Sequence, residues 1–103
     1  MVAHNTRMEG INLEGANLAG ADLSYASLGK ANLRNANLRG INLSGSDLTG
    51  ADLSGADLSQ ADLRYAVLQD AQLEGVRLDG AMLGKTTWVD GHACPEGAVG
   101  QCP

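Results

Sequence analysis

Cys94 and Cys102 are the only cysteines of the 103-residue chain, and His92 stands just ahead of the first. Cysteine beside histidine offers three chemistries: a disulfide, a pair of free thiols, or a metal site. Both cysteines fall in an irregular tail that also holds Pro95 and Gly97, and an even count in a small loop-rich segment suits a disulfide. Such a bridge contributes roughly 2–3 kcal/mol on the chain-entropy model. It belongs to an oxidising compartment, so on that reading a periplasmic or secreted location is favoured over the cytoplasm. Two reduced thiols in a cytosolic protein stay open as the alternative. A metal site would use His92, Cys94 and Cys102. One and then seven intervening residues match no zinc pattern, and the fourth ligand would have to be the distant His4.

Other candidate chemistry is thin. Ser24, Ser44, Ser54 and Ser59 fall at turn-like positions with no histidine in register. The glycines recur by five and lack the strand–GxGxxG–helix context of a nucleotide loop. The aspartates also recur by five and do not fit the nine-residue calcium repeat. Threonine arrays of an ice-binding face are absent, the only threonines being Thr6, Thr49, Thr86 and Thr87. The expectation is a protein that is not an enzyme, with no catalytic, cofactor-binding or metal residues and no cofactor.

Charge narrows the partners. The net charge is −5 and the pI about 4.7, which opposes nonspecific binding to nucleic acid or an anionic membrane. No apolar run approaches the ~20 residues of a membrane helix. The start, MVAHNTRMEG, shows no apolar stretch of a signal peptide, although a cleaved signal or a trimmed longer chain would look the same. Hydrophobic residues make up 44%, yet there is no Phe, one Trp and two Tyr, so leucine and alanine must fill any core.

What positions these residues is a period of five, as in ADLSGADLSQADLRYAVL over residues 51–68. Leucine recurs without a miss at every fifth position from Leu13 to Leu83. Two positions before each of these fifteen leucines stands Ala in eleven units, and Ile11, Ile41, Ser46 or Val76 in the others. Between the two lies Asn or Asp in ten of the first eleven units, Ser27 being the exception. On a straight helix each leucine would be rotated about 140° from the last. On a straight strand an odd step sends alternate leucines to opposite faces. The leucines share one inside only if the chain turns once per unit. Ala and Leu then face inward, the Asn or Asp between them faces out, and the small polar pair that follows makes the corner. Spacing alone admits a square or a triangular coil.

The tandem A[D/N]LSG units, fifteen in a row over residues 11–85, resemble the pentapeptide repeat family. The resemblance implies an all-β fold: a right-handed parallel quadrilateral β-helix with four repeats per coil. Two degenerate units, TRMEG at 6–10 and TTWVD at 86–90, put Met8 and Trp88 in the leucine position, giving about four coils. At the ~4.8 Å spacing of neighbouring strands, the body is roughly 20 Å tall. Three parts are expected: an N-terminal segment with a degenerate repeat (1–10), the β-helix (11–85), and a short irregular cap (86–103). Trp88 is placed to plug the last coil. Val2 and Met8 make a thin N-terminal cover, which suits a homodimer through an end of the β-helix. The tail of Gly and Cys also resembles endings of exported family members, in agreement with a disulfide.

The functional expectation is a structural or protein-interaction module whose partner is another protein. The alternative comes from family members that resemble duplex DNA and occupy type II topoisomerases (gyrase) in its place. Duplex DNA carries a charge per ~1.7 Å, so a rod of this height needs about eleven. The chain has twelve acids against seven bases, and Asp47, Asp52, Asp57 and Asp62 fall on four different faces of a four-repeat coil. In that register Arg34 follows Glu14 and Arg77 follows Asp57, pairs expected to neutralise each other. Tyr25 and Tyr65 share one corner column with Gly45 between them and Lys85 beyond. A gap flanked by two rings, together with Trp88, makes the candidate interaction surface.

Overall fold

The computed structural model describes residues 2–103; Met1, within the N-terminal segment, lies outside them. Parallel bridges join each residue before a leucine to the residue twenty positions on, from Val2↔Asp22 to Val67↔Thr87. Four five-residue units therefore complete one coil. The four sides carry the series 12–32–52–72, 17–37–57–77, 2–22–42–62–82 and 7–27–47–67–87. The register runs on through Thr87, so the unit TTWVD is part of the last coil. The body measures 29 × 23 × 21 Å with its cap.

Backbone bonding follows a strict pattern. Each leucine amide from Leu13 to Leu68 donates to the coil above, as Leu33 does to the Asp52 carbonyl at 2.8 Å. Each residue before a leucine donates to the coil below, as Asn32 does to Ile11 at 2.8 Å. Every corner closes with a bond from the next Ala amide to the leucine carbonyl, for example Ala31 to Leu28 at 3.0 Å. From residue 5 to residue 85 every fifth residue has φ between +57° and +72°. This is the third position of a type II turn, where glycine is the unstrained choice. Eight of these corners hold other residues, Tyr25, Lys30, Gln60, Tyr65 and Lys85 among them. Asn5, Asn35 and Asp70 are the ones that tolerate the left-handed region best.

The interior is a column of Leu and Ala. Leu23 through Leu68 and Leu83 are buried, each contributing about 1.5–3 kcal/mol by leaving water. Polar side chains inside are satisfied. Ser46 stands in an Ala position and donates to the Leu43 carbonyl at 2.6 Å, and Thr86 donates to Leu63 at 2.6 Å. At the N-terminal end Met8 is buried, but the Val2 side chain is exposed and covers nothing. At the other end Leu73, Val76 and Leu78 are only partly buried.

Candidate interaction surface

The outer faces of the regular coils are already occupied by their own hydrogen bonds. All ten Asn and Asp residues that stand before a leucine from Asn12 to Asp62 accept a bond, through Oδ1, from the amide two residues on. Four of the carboxylates, at Asp22, Asp52, Asp57 and Asp62, have their pKa lowered by neighbouring side chains and by these contacts. The Ser59 hydroxyl, then its amide, and then Arg39 keep Asp57 down at about 2. Asp22 and Asp52 are lowered chiefly by Ser24 and Ser54, and Asp62 by Arg64.

The arginine pairs differ from those expected of stacked columns. Arg34 donates to Asp52 at 3.0 Å, Arg39 to Asp57 at 3.1 Å and Arg77 to Asp79 at 3.3 Å. Glu14 instead accepts from the Asn32 amide group at 3.2 Å. Arg34 and Arg39 thus reach the next coil two residues short of the stacked position, and Arg77 pairs within its own unit. Arg64 grips Asp62 with Nε and Nη2 at 3.0 and 2.8 Å.

The three aromatic residues do not form one surface. The space between Tyr25 and Tyr65 is filled, because the Tyr25 ring lies over Gly45, where a Cβ would collide with it. The Tyr25 ring also meets His4 edge-on, with centroids 5.7 Å apart. Other left-handed corners repeat this arrangement: Lys30 lies over Gly50, Asn35 over Gly55 and Gln60 over Gly80. Tyr65 has no glycine one coil on, since Lys85 occupies that corner, and its ring is 65% exposed. Trp88 is partly buried against the core.

The C-terminal end is where the molecule stops being regular. Residues 91–100 fold back and close two of the four sides. Val99 pairs antiparallel with Met82, and Ala93 with Thr87. The Leu83 amide donates to Ala98 at 2.9 Å and the Trp88 amide to His92 at 2.8 Å. Gly84 admits the cap, for a Cβ there would sit 3.1 Å from the Gly97 nitrogen. Among the described residues the other two sides pair with no strand of the cap, although Gly100 comes close to the Leu78 carbonyl. One coil earlier, Leu53, Gly55, Leu58 and Gln60 donate to Gln72, Glu74, Arg77 and Asp79. Among the described residues the equivalent amides of Leu73, Gly75, Leu78 and Gly80 find no acceptor. At the corner between the two closed sides, Arg64, Tyr65, Met82, Lys85, Glu96 and Val99 line a cleft of about 370 Å³ between coil and cap. Lys85 has no ion-pair partner among the described residues.

Cys94 and Cys102 lie in this cap at disulfide distance, Sγ to Sγ 2.10 Å with the Cα atoms 5.1 Å apart. His4 is far from them in the first coil, its Nδ1 2.7 Å from Ser24 Oγ, so it does not join His92 in a ligand set. No group of three or more His, Cys, Asp or Glu side chains is placed to hold a metal ion among the described residues.

A family model described as pentapeptide repeats, in eight copies, matches residues 4–40 and 41–80. The chain belongs to the pentapeptide repeat family. Among solved structures, this pentapeptide repeat protein is similar to Rfr23 from the cyanobacterium Cyanothece 51142, with 37% identity over 80% of this chain and 56% of that one, at a TM-score of 0.78. It is similar to alr5209 from Nostoc Pcc 7120, with 48% identity over 78% of this chain and 66% of the other, at a TM-score of 0.77. It is also similar to QnrB1, a plasmid-mediated fluoroquinolone resistance protein, with 26% identity over 73% of this chain and 46% of that one, at a TM-score of 0.51. The chain thus spans about half to two thirds of the length of these relatives. No curated protein sequence matches it.

Proposed function

We propose that this pentapeptide repeat protein is a non-enzymatic interaction module that takes an extended segment of another protein onto its open C-terminal edge. The body we infer is a right-handed, four-sided β-helix of about four coils. The observation that carries the reading is the row of unbonded amides at Leu73, Gly75, Leu78 and Gly80. Beneath them Leu73, Val76 and Leu78 are left half-covered. An added strand would supply the missing acceptors and bury those side chains, which is how edge recognition gains affinity and specificity together. An uncovered edge is otherwise a liability in water. A photo-crosslinking residue at position 77, compared with one at position 37 of a closed coil, tests this in the source cells. A discrete adduct at 77 alone is expected. No adduct at 77, or the same adducts at both, would refute it. An adduct with a second copy of this chain would make the end a homodimer interface instead.

A second reading is mimicry of duplex DNA toward a type II topoisomerase, favoured by the likeness to a fluoroquinolone resistance protein. The arginine pairs at Asp52, Asp57, Asp62 and Asp79 weigh against it, because they neutralise the faces that would imitate phosphate. A gyrase supercoiling assay with micromolar protein decides: neither inhibition nor protection removes this reading.

A further inference from the structure

The cap brings together four groups that the binding role does not use. His92 Nε2 lies 3.3 Å from Cys102 Sγ. On the other side of the ring, Nδ1 donates to Asp90 Oδ1 at 2.5 Å. The Asp90 side chain is fixed in turn, since its Oδ1 also accepts from the His92 amide at 3.1 Å. The two sulfurs differ in access: Cys94 is 1% exposed and packs in the core, whereas Cys102 is only partly covered. A histidine oriented by a carboxylate and aimed at an accessible sulfur is the arrangement that turns a thiol into a thiolate. A purely structural bridge needs none of it.

We propose that Cys102 and Cys94 form a thiol–disulfide exchange site, with Cys102 as the attacking sulfur, Cys94 as the resolving sulfur, and His92, held by Asp90, as the group that takes the Cys102 proton. The partner is any accessible disulfide, or in reverse a dithiol. In the reduced chain, the Cys102 thiol proton passes to His92 Nε2 and leaves a thiolate beside an imidazolium. The thiolate attacks one sulfur of the partner disulfide. A Cys102–partner bond forms, the partner S–S bond breaks, and the first partner thiolate leaves, taking up a proton. Cys94 then attacks Cys102 Sγ as its thiolate. The Cys94–Cys102 bond forms and the second partner thiol departs with the remaining proton. The chain has lost two electrons, and the partner disulfide has become two thiols.

The groups facing the imidazole are few. Asp90 and the Pro103 carbonyl oxygen, 3.2 Å from Nε2, are its cap neighbours. From the last coil, Gln69 faces Gly91, and Asp70 bonds through its amide to Val89. The Asp90 contact raises the His92 pKa, and His92 lowers that of Asp90. The loop closed by the bridge also carries Glu96, Gly97, Ala98 and Val99, one wall of the cleft beside Tyr65. The exchange site stands whether or not the open edge binds a partner.

The test is iodoacetamide alkylation of the reduced full chain across pH, mapped by mass spectrometry. Cys102 is expected to react at least about tenfold faster than Cys94 at pH 7, with a midpoint below the ~8.5 of a free cysteine. His92→Ala and Asp90→Asn should slow Cys102 and move its midpoint back up. Equal rates at the two cysteines, or a Cys102 profile unmoved by His92→Ala, would overturn the proposal. A second measurement does not depend on the reduced cap keeping its shape: opening of the oxidised native chain by glutathione. His92→Ala is expected to slow this by at least about threefold, because the His92 ring sits 3.3 Å from the accessible sulfur that is attacked and can offer it a proton donor. An unchanged rate, with the cap intact by circular dichroism, would count equally against it.

Discussion

Residues 12–62 and residues 67–87 are built from the same five-residue unit, yet they use it differently. In the first stretch the residue before leucine is Asn or Asp in all units but one, and each such side chain ties down the corner that follows. In the second it is Val67, Gln72, Arg77, Met82 and Thr87, with no such tie. The closed coils spend their polar groups on themselves. The last coil leaves amides unbonded on two sides and apolar side chains half-covered, and its other two sides are closed only by a cap. Repetition makes the rod; its loss near the end leaves two sides of the last coil without a paired strand.

The largest expected contrast lies in the core. Leu53→Ala should cost about 3–5 kcal/mol in denaturant unfolding, because a fully buried side chain leaves a cavity between coils that cannot collapse. Leu78→Ala, at the open end, should cost well under half as much. Equal losses would mean that the end is covered after all.

Next come the corners. Asp57→Ala removes the acceptor for both the Ser59 amide and its hydroxyl, a loss of about 1 kcal/mol. The same carboxylate sets an acid limit. Its folded pKa of about 2 lies below the unfolded ~3.9. Its contribution is therefore complete above pH ~4 and is lost as pH falls through about 2. Thermal unfolding should hold steady from neutral pH to about 5 and weaken below 4, less steeply in Asp57→Asn, which keeps an acceptor that does not titrate. An acid transition identical in the two proteins would show that the tie is not electrostatic.

Smaller effects sharpen the comparison from each side. Lys30→Gly relieves a lysine held at φ +58°, a strain of roughly 1 kcal/mol or more set against the extra entropy that glycine loses. A net gain of up to about 1 kcal/mol in denaturant titration is expected. Gln72→Asn should give the last coil one corner of the regular kind, stabilising it by about 0.5 kcal/mol at most. No gain there would mean that the corner ties depend on a coil above as well.

Much of this was legible in the residues themselves. A leucine every five residues, with Ala two positions before it, leaves only a chain that bends once per unit, and the bridges twenty apart carry that through. Cys94 with Cys102 in the tail was readable as a candidate bridge, and the two lie at disulfide distance. The ties made by Asn12 to Asp62 were not, because an outward polar side chain looks the same whether it faces water or its own backbone. Nor was the column of left-handed corners, since Tyr25, Lys30 and Tyr65 are the wrong residue types for it and are held there by their neighbours in adjacent coils. The gap beside Tyr25 closed because an aromatic ring has the reach to cover a glycine one coil away. The open edge was hidden for another reason. A tail of irregular residues does not reveal which sides of a square it will cover, and that depends on the close approach of Gly97 to Gly84.

Amide hydrogen exchange, read residue by residue on the monomeric chain, tests the contrast most directly. Leu53, Gly55, Leu58 and Gln60 should exchange slowly, and Leu73, Gly75, Leu78 and Gly80 near the free-peptide rate. Equal protection of the two sets in a chain shown to be monomeric would contradict the open edge, and with it the surface proposed for binding.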